Sequence, residues 1–180
     1  RLSSWVAVIA EAMKHAAVPR KEIGVRSIFN MLGPLTNPAS ADRQVLGVFK
    51  AELTEMFAQA LNLLGVRRAF VVHGHDGLDE ISVCGPTRIS ELANGQVKTY
   101  DLYPEHYLGD VYYAEELVGG TPEVNARIIT DLLDGKPGAC RDIVVLNAAA
   151  AIVVSDLAPD IRAGVDLARQ SIDSGKAKAK

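Results

Sequence analysis

The chain has 180 residues, of which 48% are hydrophobic, 23% charged and 6% aromatic, and its formal net charge is −3. This composition is typical of a globular protein and excludes a disordered, collagen-like or coiled-coil chain. The slight acidic excess argues against a nucleic-acid partner. The two cysteines, Cys84 and Cys140, show neither a metal-ligand spacing nor a disulfide framework, so we expect a cytoplasmic protein.

No segment of the sequence is long and apolar enough to predict a membrane span. The longest apolar run, from Ile143 to Val154, has twelve residues and is interrupted by Asn147. A bilayer requires about 20 apolar residues in a helix. We therefore expect no membrane partner and interpret this run as a buried helix.

The first third of the chain predicts two helices, over 4–16 and 20–32, the second of which ends at Gly33-Pro34. The middle third alternates between the periodicities of strands and helices, which is typical of α/β proteins. A tight hairpin is indicated at Asn94-Gly95. The predicted strands are 44–49, 68–73, 81–84, 88–92 and 96–102, and the helix among them is 52–64.

The last third of the chain predicts three helices. Thr121-Pro122 is an N-cap followed by a first-turn proline, and Val124, Ile128, Ile129 and Leu132 then form one apolar face. The next two helices are expected over 140–157 and 160–174. The whole pattern predicts an α/β fold with a mixed, mainly parallel sheet flanked by helices.

The segment from His73 to Glu80 is the most informative for chemistry. An apolar strand leads there into a loop with two glycines and several acids, and ligands of α/β sheets bind beyond the carboxyl ends of strands. Asp79 and Glu80 can face one centre in a loop, where a divalent cation would offset their repulsion. Mg²⁺ suits such a pair because it takes its other ligands from water and substrate phosphates. A solvated acidic turn is the alternative interpretation.

Three other polar features have competing interpretations. Arg26 lies on the polar face of its predicted helix and could bind a carboxylate or phosphate, or simply pair with Glu22. Asn147 must find hydrogen-bond partners, either in a neighbouring loop or in a ligand, and the structural role is favoured. His73 and His75 flank Gly74 with a spacing that matches no zinc pattern, so we expect structural roles for them.

Two long motifs occur in the order seen in a known family. The stretch from Arg26 to Pro38 reads RSIFNMLGPLTNP, and the stretch from His73 to Glu80 reads HGHDGLDE. Together with Leu146-Asn147-Ala148-Ala149-Ala150, these motifs resemble the anthranilate phosphoribosyltransferases. The resemblance runs from about Ala12 to about Ser174.

This resemblance implies transfer of the phosphoribosyl group from phosphoribosyl pyrophosphate to anthranilate, a step of tryptophan biosynthesis. It implies that Arg26 contacts anthranilate and that Asp79 and Glu80 bind two Mg²⁺ ions holding the pyrophosphate. It also implies a two-domain fold like that of nucleoside phosphorylases and phosphoribosyltransferases. Residues 1–31 would be the remnant of a small all-helical domain, and 32–180 the C-terminal part of the α/β domain.

The resemblance further implies that the chain is a C-terminal fragment, because the family's glycine-rich phosphate loop precedes the matched region. We therefore expect the isolated chain to be inactive or nearly so. A homodimer is expected for the full-length parent, and the lack of most helical-domain elements argues against dimerisation by this chain. Two alternatives stay open: a noncatalytic nucleic-acid-binding relative of the same fold, and a pyrimidine nucleoside phosphorylase-like enzyme.

Overall fold

The computed structural model describes Leu35 and residues 41–180. The predicted helices over 4–16 and 20–32, the proposed domain boundary between residues 31 and 32, and Arg26 all lie outside the described residues. Arg43–Lys180 forms a compact unit and is described by itself. The predicted α/β class is confirmed by its four-stranded sheet and flanking helices.

The sheet has the order β1-β2-β3-β4 along the chain and in space. Its strands are β1 Arg43–Gly47, β2 Arg68–Gly74, β3 Thr87–Ala93 and β4 Gln96–Leu102. The first two strands are parallel, and the other two neighbouring pairs are antiparallel. Parallel pairing is thus confined to one pair among the described strands, so this part of the sheet is less parallel than predicted.

The hairpin between β3 and β4 turns where the sequence predicts it. Asn94 and Gly95 have φ angles of 52° and 74°, the left-handed conformation that a two-residue hairpin turn requires. Asparagine and glycine adopt this conformation more readily than other residues do. The turn therefore fixes the antiparallel partner of β3 and, with it, the antiparallel character of this side of the sheet.

The helices are α1 Leu53–Leu63, α2 Glu105–Leu108, α3 Pro122–Leu133, α4 Ala139–Val154 and α5 Ile161–Asp173, with a 3₁₀ turn at Ala114–Leu117. Phe70 and Val72 of β2 pack in the main core with α4 and α5. Successive strand residues face opposite sides, so Ala69 and Val71 face the side on which α1 packs. The sheet is thereby covered on both faces.

The three C-terminal helices differ in how far they are buried. Helix α4 is buried along most of its length, as its apolar sequence predicts, and α5 buries the face predicted for it, including Val165 and Ile172. The apolar face predicted on α3 is buried only at Leu132, because Val124 and Ile129 are about half exposed. No helix within residues 41–180 is long and apolar enough to cross a membrane.

The predicted strand over 81–84 is wrong: this segment runs along the core without a strand partner. Ile81, Ser82 and Val83 are fully buried, so their backbone groups must be satisfied within the protein. Side chains supply most of these hydrogen bonds: Asn147 bonds to the Ile81 backbone, and Thr87 accepts from the Ser82 N–H. Apolar composition therefore marked the burial of the segment correctly but not its hydrogen-bond partners.

Candidate functional site

The acidic loop, residues 74–80, follows the carboxyl end of β2, where the sequence predicts a binding site. The loop closes on itself, because the Gly74 N–H donates to the Leu78 carbonyl at 2.8 Å and the Gly77 N–H to the Gly74 carbonyl at 2.9 Å. Gly77 has a φ of 98°, a conformation that side chains other than glycine rarely adopt. These contacts make the loop a defined turn.

Asp76 organises the loop from within. One of its carboxylate oxygens accepts from the Leu78 N–H at 3.2 Å, and the other accepts from the Ser82 hydroxyl at 2.5 Å. The Ser82 hydroxyl in turn accepts from the Cys84 N–H at 2.9 Å. Asp76 therefore ties the acidic loop to the buried segment that follows it. The other two acids of the loop, Asp79 and Glu80, form no such side-chain hydrogen bond with any residue of the range 41–180.

Asp79 and Glu80 are both exposed at the end of the loop. The pKa of Glu80 is raised above its ordinary value. The largest cause is partial desolvation of its carboxyl group by the surrounding protein, followed by repulsion from the carboxylates of Asp79 and Asp76. No lysine or arginine within residues 41–180 forms a salt bridge with either residue. Within the described part of the chain, the site thus concentrates negative charge that no salt bridge offsets.

These two carboxylates fit Mg²⁺, which prefers oxygen ligands and commonly binds through one or two carboxylates plus water and phosphate. Desolvation is the largest cause of the raised pKa of Glu80, and a bound divalent cation would offset the further contribution that comes from repulsion by Asp79 and Asp76. In the described part of the chain, no group of three or more histidine, cysteine or acidic side chains is arranged to hold a metal. Among the described residues, the acidic pair therefore has no third side chain of these types placed to share a cation.

The two histidines beside the loop have partners in the protein. The His73 ring nitrogen Nδ1 lies 2.7 Å from the Val48 carbonyl, and His75 Nε2 lies 3.3 Å from Asp101 Oδ1. The Arg88 guanidinium donates to the same Asp101 oxygen at 2.8 Å and, with His75, holds the pKa of Asp101 below its usual range. These contacts agree with the structural roles predicted for both histidines.

A cavity of about 350 Å³ opens near these histidines. It is lined by Ala51, Glu52, His73, His75 and Arg88. Asp79 and Glu80 do not line it, so the cavity and the acidic pair are separate features of this edge of the sheet.

The contacts of Asn147 confirm the prediction that it serves as a hydrogen-bond partner of a neighbouring loop. Its side-chain oxygen accepts from the Ile81 N–H at 2.9 Å, and its side-chain nitrogen donates to the Ile81 carbonyl at 2.8 Å and the Ile143 carbonyl at 2.9 Å. The sequence shows the need for a partner at Asn147 but does not show that the partner adjoins Glu80.

Gly47 and Asp76 are two site residues that sequence reasoning missed. A Cβ atom at Gly47 would collide with the Asp79 carbonyl oxygen, so only glycine allows this approach of β1 to the loop. The sequence offers an Asp-Gly turn at Asp76 as a signal of its role. It offers none for Gly47, which contacts a residue 32 positions away along the chain.

Comparison with known proteins identifies the class to which this fold and loop belong. The sequence model described as "Glycosyl transferase family, a/b domain" matches residues 6–178. The chain therefore belongs to this glycosyl transferase family. The match includes the acidic loop, Asn147 and Gly47.

Anthranilate phosphoribosyltransferases are among the relatives that match this chain. Those from Desulfosudis oleivorans and Syntrophobacter fumaroxidans are 65% and 64% identical over 170 and 166 residues. These matches cover 94% and 92% of this chain, but only 50% and 49% of the relatives. The chain thus spans about half the length of the curated relatives it matches.

Solved structures of the same enzyme share the fold. The Thermus thermophilus enzyme is 44% identical with a TM-score of 0.85, and the match covers 94% of this chain and 50% of that one. The Saccharomyces cerevisiae enzyme in complex with PRPP and Mg is 30% identical with a TM-score of 0.83, covering 94% and 49%. The same yeast enzyme has been solved with 4-fluoroanthranilate.

Proposed function

We propose that the full-length protein carrying this chain transfers the phosphoribosyl group from phosphoribosyl pyrophosphate to anthranilate. The products are N-(5-phosphoribosyl)anthranilate and pyrophosphate. The observation that carries this proposal is the 65% identity over 170 residues to an anthranilate phosphoribosyltransferase, within a match that contains the acidic loop. The relatives' name favours this reaction over nucleoside phosphorolysis and over nucleic-acid binding.

Asp79 and Glu80 are proposed to hold Mg²⁺ together with the diphosphate of the substrate. Two ions per site, cytoplasmic location and a homodimeric full-length protein are further parts of the proposal. The support at the acidic pair is its exposure, its lack of a described cationic partner and the raised pKa of Glu80. When bound, the metal would offset the charge that grows on the departing pyrophosphate.

Arg26 is proposed to bind the anthranilate carboxylate through its planar guanidinium. The amine of anthranilate is already a nucleophile, so the protein's main task is to orient it towards C1 of the ribose. No covalent protein nucleophile is required. We also propose that residues 1–31 belong to a helical domain and residues 32–180 to the α/β domain.

The proposed transfer can be tested in a full-length protein in which the preceding half comes from the Desulfosudis oleivorans relative. Loss of anthranilate fluorescence on addition of phosphoribosyl pyrophosphate and Mg²⁺ is the expected result. Phosphorolysis of thymidine or uridine without anthranilate consumption would instead support the nucleoside phosphorylase alternative. Salt-sensitive retention of DNA or RNA without turnover would support the nucleic-acid-binding alternative.

The metal role of the acidic pair is tested by the double variant Asp79→Asn/Glu80→Gln, which keeps size and removes charge. We expect turnover to fall at least about 100-fold, because both metal-binding carboxylates are lost. Asp166→Asn is the matched control, since this exposed acid lies on α5 outside the acidic loop, and it should retain turnover. Wild-type turnover in the double variant would refute the metal role.

The role of Arg26 is tested separately by its effect on anthranilate. Arg26→Ala should raise the apparent KM for anthranilate more than that for phosphoribosyl pyrophosphate. Arg26→Lys keeps the charge but cannot form the two parallel hydrogen bonds of a guanidinium, so its KM for anthranilate should lie between those of the wild type and Arg26→Ala. An unchanged KM for anthranilate in Arg26→Ala would remove this residue from the substrate site.

A further inference from the structure

We propose that Asn147 of helix α4 is a positioning residue that fixes the direction in which the Glu80 side chain leaves the backbone. This proposal rests on the proposed metal role of Asp79 and Glu80. Its basis is the pair of hydrogen bonds, at 2.9 and 2.8 Å, by which the Asn147 carboxamide holds both backbone groups of Ile81.

The carboxamide takes the place of a neighbouring β-strand. A strand partner would offer one acceptor and one donor to the exposed edge of the segment, and the Asn147 side chain offers the same pair. Its third hydrogen bond, to the Ile143 carbonyl one turn earlier on α4, fixes the plane of the carboxamide. Because Ile81 is fully buried, water cannot replace these partners.

Rigid peptide planes transmit this restraint to Glu80. The Ile81 N–H shares a planar peptide unit with the Glu80 carbonyl, so the bond to Asn147 sets the orientation of the unit after the Glu80 Cα. The preceding unit contains the Asp79 carbonyl, which is packed against Gly47 of β1. Both units flanking the Glu80 Cα are thus held, and together they set the direction of its Cα–Cβ bond.

The neighbouring contacts hold the rest of the segment in the same way. Thr87 Oγ1 accepts from the Ser82 N–H at 2.9 Å, and the Tyr112 N–H donates to the Val83 carbonyl at 3.0 Å. None of these groups reaches the acidic pair itself. Asn147 is the side chain whose hydrogen bond lies on the peptide unit adjoining Glu80, and this is why we assign the positioning role to it.

The test compares the Mg²⁺ dependence of turnover in the full-length protein with its affinity for Mg²⁺, measured by calorimetric titration in the presence of pyrophosphate. The two measurements should change together. Asn147→Ala removes all three bonds, and Asn147→Asp keeps the size and the acceptor for Ile81 but loses both donated bonds. We expect both variants to need about tenfold more Mg²⁺ for half-maximal rate, the range for residues that orient metal ligands. Val153→Ala, a buried truncation elsewhere on α4, is the control for general destabilisation and should keep the wild-type Mg²⁺ dependence.

Each variant is assayed at a temperature at which its far-UV circular dichroism shows it folded. Wild-type Mg²⁺ dependence in both Asn147 variants, with a clear loss in Asp79→Asn/Glu80→Gln, would overturn the positioning role alone. An unchanged Mg²⁺ dependence in Asp79→Asn/Glu80→Gln would overturn the metal role and the positioning role together. An equal shift in Val153→Ala would show that the effect of Asn147 is only structural.

Discussion

Replacement of Gly47 by alanine tests whether β1 and the acidic loop must approach as closely as the structure shows. The added Cβ would overlap the Asp79 carbonyl oxygen and lie 3.3 Å from the Asp79 Cβ. The backbone at Gly47 does not have a positive φ, so alanine is strained there only by this contact. Since the opposing atom belongs to the backbone, it cannot rotate away, and either the strand or the loop must shift.

The expected cost of Gly47→Ala follows from two opposing effects. Overpacking of a filled site costs about 1–3 kcal/mol. Restriction of the unfolded chain by alanine contributes about 0.4–1 kcal/mol in the other direction. We therefore expect the free energy of unfolding to fall by about 1–2 kcal/mol, measured by urea unfolding of the chain with far-UV circular dichroism.

Gly85 provides a matched control for this substitution. It lies after the buried segment 81–84, has no positive φ, and an added Cβ there would meet no atom within 4 Å. Gly85→Ala should leave the stability unchanged or raise it by up to about 1 kcal/mol. If Gly47→Ala were tolerated as well as Gly85→Ala, the close contact between β1 and Asp79 would be refuted.

Three further substitutions have expected outcomes in urea unfolding. Gly164→Ala places a Cβ 2.8 Å from the Ala149 carbonyl oxygen, so α4 and α5 must separate and stability should fall by about 1–3 kcal/mol; an unchanged midpoint would contradict this packing. The hydrogen bond to Asp142 raises the pKa of Tyr112 to about 12, so the stability that this bond contributes is complete below pH 10 and is lost towards pH 12. Tyr112→Phe should therefore lose less stability than the wild type between pH 10 and pH 12. An equal loss in the two proteins would refute this contribution of the hydrogen bond. Because the pKa of Glu80 is raised on folding, its ionisation costs stability as the pH rises through that pKa. Glu80→Gln should therefore be more stable than the wild type at pH 7 without metal, with no difference below about pH 4. Equal stability at pH 7 would contradict the raised pKa that desolvation and the two neighbouring carboxylates give Glu80.

Local sequence signals predicted the elements that depend on neighbouring residues. The hairpin at Asn94-Gly95 and the capped start of α3 at Thr121-Pro122 are both set within a few residues, and both are present in the structure. The position of Asp79 and Glu80 beyond the end of β2 also followed from the sequence, because an apolar strand led directly into a glycine-containing loop.

Features that depend on distant residues could not be predicted in this way. The segment 81–84 resembles a strand in composition, but Asn147, 66 positions further along the chain, takes the place of a strand partner. The contact between Gly47 and Asp79 is similarly invisible to local patterns. The role proposed for Arg26 rests on the resemblance of its motif, since that residue lies outside the described residues.

The most direct test of the metal role is calorimetric titration of Mg²⁺ into the full-length protein in the presence of pyrophosphate. The wild-type protein should show saturable binding, and Asp79→Asn/Glu80→Gln should lose it while Asp166→Asn keeps it. Binding of equal affinity in the wild type and the double variant would contradict the assignment of Asp79 and Glu80 as the residues that hold the magnesium diphosphate.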